Sequence, residues 1–278
     1  MTLPKKPEYF AGIKVDGAYE RYLERLEEEE KAKNKIKEAG FPTTRFLSEE
    51  EQARYKDSIK QFKGKAYDTL NIPKNGSNLF KVVYLNEIGI KTASLSELEL
   101  ALENGLELEG FYEDTPSVVL RSNGDSYALN NYLAKLLAEE VQKRKEETFK
   151  HSLVLNGLKL KEDSNSEYGL ILVPGEDFSY FEAPELGSEN HLKKFSRLGE
   201  RGMPVFDKEG KRTLYTREDG LSRLYLGVDL DSDSGNVRLA NSNEYGRVVV
   251  VSPEMAQKNL GDKKWHYQKN QNILQELR

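Results

Sequence analysis

The apolar pattern of residues 215–251 constrains the fold of this 278-residue chain more than any other stretch. Apolar and other residues alternate there, Leu224, Leu226, Val228 and Leu230 on one side and Tyr225, Gly227, Asp229 and Asp231 on the other. Since successive side chains of a strand point to opposite faces, the alternation predicts a half-buried strand. Residues 248–251 are all valine, which predicts a strand buried on both faces. Between them we expect a turn at residues 231–236, a short apolar strand at 237–240 and a polar loop.

The residues between these apolar anchors are polar and small. Thirteen of the 21 residues from Gly227 to Arg247 are Asp, Ser, Asn, Gly or Tyr. Turns and loops favour most of these types for local backbone reasons. Tyr, Ser, Gly and Asn are also the types that dominate antibody-like binding surfaces, which combine rigid aromatic contacts with adaptable hydrogen bonds. The composition therefore leaves two interpretations open, an ordinary loop and a ligand-binding surface.

The successive segments YTREDGLSRLYL, DSDSGNV, SN and YGRVVVV resemble the final strands of C-type-lectin-like domains of the formylglycine-generating-enzyme type. Among these the resemblance is to the variable proteins of diversity-generating retroelements. In that family, adenine-directed mutagenesis turns Asn codons into codons for Asp, Ser, Gly and Tyr, while fixed apolar residues hold the scaffold. The resemblance implies a non-catalytic ligand-binding domain whose first strand, here residues 153–160, pairs with the last, residues 248–251.

Alternation and resemblance together nominate a candidate ligand-binding surface. Its residues are Gly227, Val228, Asp229, Asp231, Ser232, Ser234, Gly235, Asn236, Arg238, Asn241, Asn243, Glu244 and Tyr245. The expected partner is a protein or another macromolecule. No catalytic residue, metal ligand or cofactor is nominated.

The predicted fold class is α+β, with a helical or mixed N-terminal half and a C-terminal C-type-lectin-like domain. The predicted divisions are a helical segment at residues 1–45, an α+β region at 46–150, and the lectin-like domain with a helical tail at 151–278. Ser48 with Glu51 and Ser94 with Glu97 have the spacing of capping boxes, which predicts helix starts at both places. Further helices are expected at residues 18–39, 128–149 and 188–198, and a strand at 79–85.

Composition excludes several function classes. Cysteine is absent, so disulfides, thiolate nucleophiles and cysteine-ligated metals are excluded, and so is the cysteine chemistry of the formylglycine-generating enzymes. The net charge of -5 makes nucleic acid an unexpected partner. Neither a signal peptide nor an apolar run long enough for a membrane span is evident, so we expect no membrane insertion and, by default, a cytoplasmic protein.

Two other function classes stay open at this point. The segment RSNGDSY at residues 121–127 links a predicted strand to a helix, an arrangement that can hold a phosphate in a nucleotide-binding enzyme. The chain is alternatively a structural or attachment protein whose polar stretch is only a loop. A loose calcium site at Asp229, Asp231 and Asp233 also stays open, although an EF-hand does not, because Ser234 and Ala240 occupy its Gly and Glu positions.

Overall fold

The computed structural model describes residues 44–121, 130–144 and 150–251, together with two short strands, β1 (Tyr9–Phe10) and β2 (Ile13–Lys14). Strands β1 and β2 pair antiparallel and belong to a unit formed by residues 1–43 and 257–278. Residues 44–256 form a second compact unit, to which the following description applies. The predicted helix at 18–39, residues 122–127 of the RSNGDSY loop and the predicted C-terminal helical tail lie outside the described residues.

The second unit is an α+β structure, as the sequence predicts. Its described helices are α1 (Glu49–Ser58), α2 (Gly64–Leu70), α3 (Leu79–Glu87), α4 (Leu95–Glu103) and α5 (Asn131–Gln142). Its described strands are β3 (Thr44–Phe46), β4 (Tyr112–Leu120), β5 (Leu153–Glu162), β6 (Leu170–Glu182), β7 (Lys194–Leu198), β8 (Pro204–Phe206), β9 (Arg212–Tyr215), β10 (Leu221–Leu226), β11 (Ser232–Asp233), β12 (Gly246–Arg247) and β13 (Val249–Val251). No described helix has both the length and the apolar character that a membrane crossing requires.

Most of the strands form one mixed sheet with the order β6-β5-β4-β10-β11-β9-β7-β8, and β12 pairs with β4 in addition. Strand β4 pairs with β5 on one side and with β10 on the other, so residues before and after position 150 share this sheet. Successive residues of β4 and β5 alternate between two buried apolar clusters. Val118 and Leu155 belong to one cluster, whereas Val119 and Val154 belong to the other. The sheet is therefore covered on both faces.

The first and last described strands of this unit pair with each other. Val249 lies opposite Phe46 and Val251 opposite Thr44 in the antiparallel pair of β13 with β3. The expected pairing of residues 248–251 with 153–160 is wrong, since β5 lies between β4 and β6. The valine run of residues 248–251 is buried throughout, as predicted, because its side chains alternate between the same two clusters.

Both predicted capping boxes are present. The Ser48 hydroxyl accepts the backbone N–H of Glu51 at the start of α1, while the Glu51 carboxylate accepts the N–H of Ser48. Ser94 and Glu97 make the same reciprocal bonds at the start of α4. These contacts satisfy backbone donors that have no partner inside the helix, which is why so local a pattern predicts helix starts correctly.

Three local predictions are wrong. Residues 79–85 form α3 rather than a strand, because a helix buried on all sides has the same continuous apolar run as a buried strand. Residues 188–198 form a short 3-10 turn and strand β7 rather than a helix, because β8 and β9 pair with β7 on its two edges. The turn after β10 spans Gly227 to Asp231 and leads directly into β11, so the strand expected at 237–240 does not form.

Candidate ligand-binding site

Seven of the thirteen candidate residues surround one surface cavity of about 310 Å³. They are Gly227, Val228, Asp229, Asp231, Asn236, Asn241 and Asn243. The same cavity is also lined by Tyr112, Tyr215, Arg223, Tyr225 and Asp233. Its volume lies at the lower end of the range found for small-ligand pockets, about 300 to 1,000 Å³. The structure thus brings together residues from β4, β9, β10, β11 and the loop before β12.

The hairpin of β10 and β11 forms one wall of the cavity. The Gly227 N–H donates to the Asp231 carbonyl at 2.7 Å, and the Leu230 N–H donates to the Gly227 carbonyl at 2.9 Å. Leu230 adopts a φ of 61°, the left-handed conformation that allows the chain to reverse here. Because the strand ends at Leu226, the alternation does not continue to Val228, whose side chain is 41% exposed at the cavity rim. The expectation that Val228 points into the core is wrong, whereas its nomination as a surface residue agrees with its position.

A buried ion pair lies beneath the cavity. The Arg223 side chain is 3% exposed and its Nη1 donates to Asp114 Oδ1 at 3.0 Å and to Oδ2 at 3.3 Å. The same nitrogen donates to the Asn241 carbonyl at 3.2 Å, which ties the loop before β12 to the sheet. Burial raises the pKa of Asp114, and the neighbouring guanidinium opposes that rise. Burial of an ion pair removes both charges from water, and only good geometry offsets that cost. Removal of one partner leaves the other charge buried without compensation.

Two tyrosines enclose the Arg223 guanidinium and are themselves held in place. The guanidinium carbon lies 4.3 Å from the ring centroid of Tyr225 and 5.4 Å from that of Tyr112. Tyr112 donates its hydroxyl hydrogen to the Ser77 carbonyl at 3.1 Å and accepts the N–H of Asn243 at 3.0 Å. The Tyr225 hydroxyl donates to Asp233 Oδ2 at 2.5 Å. Desolvation raises the pKa of both phenols, so they stay neutral hydrogen-bonding groups at neutral pH.

The rim carries polar groups that face solvent. Asp229, Asn241 and Asn243 are exposed, while Asp231 and Asn236 are partly buried. Asp231 accepts the backbone N–H of Thr213, so it links the hairpin to β9 in addition to lining the cavity. Carboxylate, amide and hydroxyl groups at such a rim can exchange hydrogen bonds with water for bonds with a ligand.

Two nominated residues do not belong to the exposed surface. Ser232 and Ser234 are completely buried, whereas Asp231 and Asp233, which alternate with them along the chain, are only partly buried, so the two serines face the inner side of the sheet. The Ser234 hydroxyl accepts a hydrogen bond from Arg121 Nη2 at 2.8 Å and lies 3.3 Å from the Tyr215 carbonyl. The prediction that Ser232 and Ser234 lie on the exposed ligand-binding surface is therefore wrong. The remaining candidates are at least partly exposed but do not line the cavity, namely Gly235, Arg238, Glu244 and Tyr245.

Sequence reasoning missed five lining residues. Tyr225 and Asp233 lie in the same stretch, at positions where the alternation of a strand already predicts outward-facing side chains. Tyr112 lies more than a hundred positions earlier, and only the pairing of β4 with β10 and β12 brings it here. Tyr215 and Arg223 had no signal that distinguished them from ordinary strand residues.

No protein-family model, curated protein or solved structure matches the chain. Among residues 44–121, 130–144 and 150–251, no three His, Asp or Glu side chains lie close enough together to hold a metal ion. His191 accepts the Thr216 N–H on its Nδ1 at 3.2 Å, which gives this histidine a structural contact.

Proposed function

We propose that this chain is a non-catalytic ligand-binding protein that recognises a macromolecule through the cavity and its polar rim. The observation that carries the proposal is that seven of the nominated residues, all from positions 227–243, line one concave surface together with tyrosines from β4, β9 and β10. Residues that formed only a surface loop have no reason to gather around a shared cavity with tyrosines from β4, β9 and β10. Tyrosine walls with small polar neighbours are the composition of surfaces that bind proteins.

The separation between the buried apolar residues, here called the frame, and the exposed polar residues of the cavity rim supports the same function. Leu224 and Leu226 of β10 and Val249 of β13 are buried in one apolar cluster, whereas Asp229 and Asn243 are exposed. The ion pair of Arg223 with Asp114 adds a second fixed element directly below the rim. Because a ligand-binding surface gains affinity when it is ordered before binding, a rigid base under exposed polar groups favours recognition.

We further propose that the scaffold is C-type-lectin-like and that the rim is varied by a diversity-generating retroelement. The pairing of the unit's first described strand, β3, with its last, β13, agrees with the joined termini expected of such a domain. In this proposal the domain begins near Thr44 rather than near residue 151. In this proposal the exposed Asp residues of the rim are products of adenine-directed change, and the exposed Asn residues are unchanged template codons, on a fixed apolar frame.

The DNA around the coding region tests the retroelement directly. We expect a nearby partial copy of the segment coding for residues 227–247 that differs only at adenines, and a reverse transcriptase gene beside it. Sequencing the codons for residues 226–249 from many clones should find substitutions at Asp229, Asn241 and Asn243, and none at Leu226 or Val249. Equal variation at the buried and exposed positions, or no variation at all, argues against the retroelement.

A folding selection tests the display surface without knowledge of the ligand. For this test, variants randomised at Val228, Asp229, Asn241 and Asn243 are displayed on the surface of cells and treated with a protease. Most of these variants should resist proteolysis to about the same degree as the parent protein. A matched library randomised at four buried serine or threonine positions of the same sheet should not, and Thr115, Ser222, Ser232 and Ser234 supply them. If both libraries lose folded members equally, the rim is part of the structural core and the display function is rejected.

A further inference from the structure

A second cavity, of about 190 Å³, is lined by two cationic side chains that form no ion pair with any of the described carboxylates. It lies where β3, α1, α3 and β12 meet, and it shares no lining residue with the cavity described above. Phe46, Leu47 and Val248 supply apolar lining, and Lys81 and Arg247 supply positive charge.

Lys81 is a buried cation whose charge is not neutralised within the described residues. It lies in α3 and is 2% exposed. Its Nζ donates to the carbonyl oxygens of Gly76 at 2.6 Å and Lys74 at 3.3 Å, and lies 5.4 Å from the ring centroid of Tyr55. An ammonium has three donors, so one remains for a further acceptor. Burying such a group without a counter-ion is costly, and desolvation accordingly lowers the pKa of Lys81 to about 8.

Arg247 is held by two aromatic rings rather than by an anion. Its guanidinium carbon lies 3.1 Å from the ring centroid of Phe111 and 4.8 Å from that of Phe46. Glu113 is the carboxyl group that interacts with it electrostatically, but burial raises the pKa of Glu113 to about 8. Neither carboxylate oxygen of Glu113 accepts a hydrogen bond from Arg247, and no ion pair joins the two side chains among the described residues. Stacked, weakly hydrated guanidinium groups are well suited to bind carboxylates.

Three apolar side chains and two cations without an ion pair line the same cavity and define the ligand chemistry. The other lining residues are polar, namely Gln52, Lys74 and Asn75. We propose that this cavity binds a small organic acid, with its carboxylate between Lys81 and Arg247 and its short apolar chain against Phe46, Leu47 and Val248. A bound carboxylate accepts the free donor of Lys81 and supplies the missing negative charge. The volume suits a monocarboxylate of a few carbon atoms. This site does not depend on the proposed display function.

Isothermal titration of the full chain with sodium butanoate tests the proposal. We expect saturable one-to-one binding, with butan-1-ol and butylammonium at least about tenfold weaker, because neither presents an anion to the two cations. Inorganic phosphate, which has the charge but no apolar chain, should also bind more weakly than butanoate. Absence of butanoate binding, equal binding of butan-1-ol, or tighter binding of phosphate overturns the proposal.

Two variants assign the binding to this cavity. Lys81→Met keeps the length of the side chain without its charge, and Arg247→Gln removes the guanidinium, so each should weaken butanoate about tenfold or more. Arg201→Gln is the matched control, since Arg201 also lies over a phenyl ring, that of Phe181 at 5.3 Å, away from the cavity. Thermal unfolding verifies that each variant is folded. If one of Lys81→Met and Arg247→Gln does not fold, the other is sufficient for the test. Unchanged affinity in a folded Lys81→Met or Arg247→Gln protein, or an equal loss in Arg201→Gln, refutes the assignment.

Discussion

Two valines near the candidate site, one in the buried frame and one at the exposed rim, allow the same substitution to be compared at both places. Val249 is 2% exposed in β13, and Val228 is 41% exposed in the turn after β10. Mutation of either to Ala removes the same two methyl groups. At about 0.8 kcal/mol per buried carbon, with a cavity term added, Val249→Ala should lower the free energy of unfolding by about 2 to 3 kcal/mol. Val228→Ala leaves no enclosed cavity and should cost less than about 1 kcal/mol.

Urea unfolding followed by far-ultraviolet circular dichroism gives both free energies, and calorimetry gives the corresponding melting temperatures. For a unit of this size, each kcal/mol lowers the melting temperature by about 2 to 4 °C, so Val249→Ala should lower it by about 4 to 12 °C. Unchanged denaturant slopes in both variants make the comparison one of stability alone. Equal losses at the two positions, or a larger loss at Val228, refute the assignment of β13 to the frame and of the turn to the rim.

Four further substitutions test the electrostatics and the packing around the two cavities. Asp114→Asn leaves the buried guanidinium of its ion pair without a carboxylate, and should reduce the free energy of unfolding in urea by about 3 to 5 kcal/mol; a loss below 1 kcal/mol contradicts the pair's structural role. Burial raises the pKa of Glu113 from its ordinary value of 4.5 to about 8, so the folded state holds an extra proton in that window and stability falls as pH rises through it. Glu113→Gln should flatten this fall between pH 5 and pH 8 in urea unfolding, and an identical fall in both proteins counts against the shift. A methyl group at Gly246 would lie 2.6 Å from the Tyr112 hydroxyl, so Gly246→Ala should cost about 1 to 3 kcal/mol, whereas at Gly227 the nearest atom is 3.5 Å away and Ala should be tolerated in the same assay.

The two cavities use charge in opposite ways. Beneath the candidate ligand-binding site, Arg223 is paired with Asp114 and serves as a fixed base for the tyrosines. In the second cavity, Lys81 and Arg247 have no such partner among the described residues, and their contacts are backbone carbonyls and phenyl rings. The ion pair of Arg223 with Asp114 therefore stabilises the base of the candidate site, whereas Lys81 and Arg247 are the groups that we propose bind an external anion.

Several properties follow from the sequence alone because their causes are local. The capping boxes at Ser48 and Ser94 form because each requires only residues three positions apart. The burial of residues 248–251 follows from four consecutive β-branched apolar side chains, which no exposed segment tolerates well. The polar, small composition of residues 227–247 is likewise local, whereas the cavity near Asp229 and Asn243 also requires Tyr112 and Tyr215 from distant strands.

The tertiary structure decided which strands pair and which side chains turn inward. Residues 79–85 are apolar enough for a strand or a buried helix, and packing on all sides selected the helix. Ser232 is buried because it faces the covered side of the sheet, whereas the adjacent Asp233 faces the cavity, and the polarity of a serine does not encode that choice. Tyr112 reaches the site through the pairing of β4 with β10, and β13 takes β3 as its partner. Pairing of this kind depends on contacts between residues distant in sequence, and a single chain's local pattern carries no record of them.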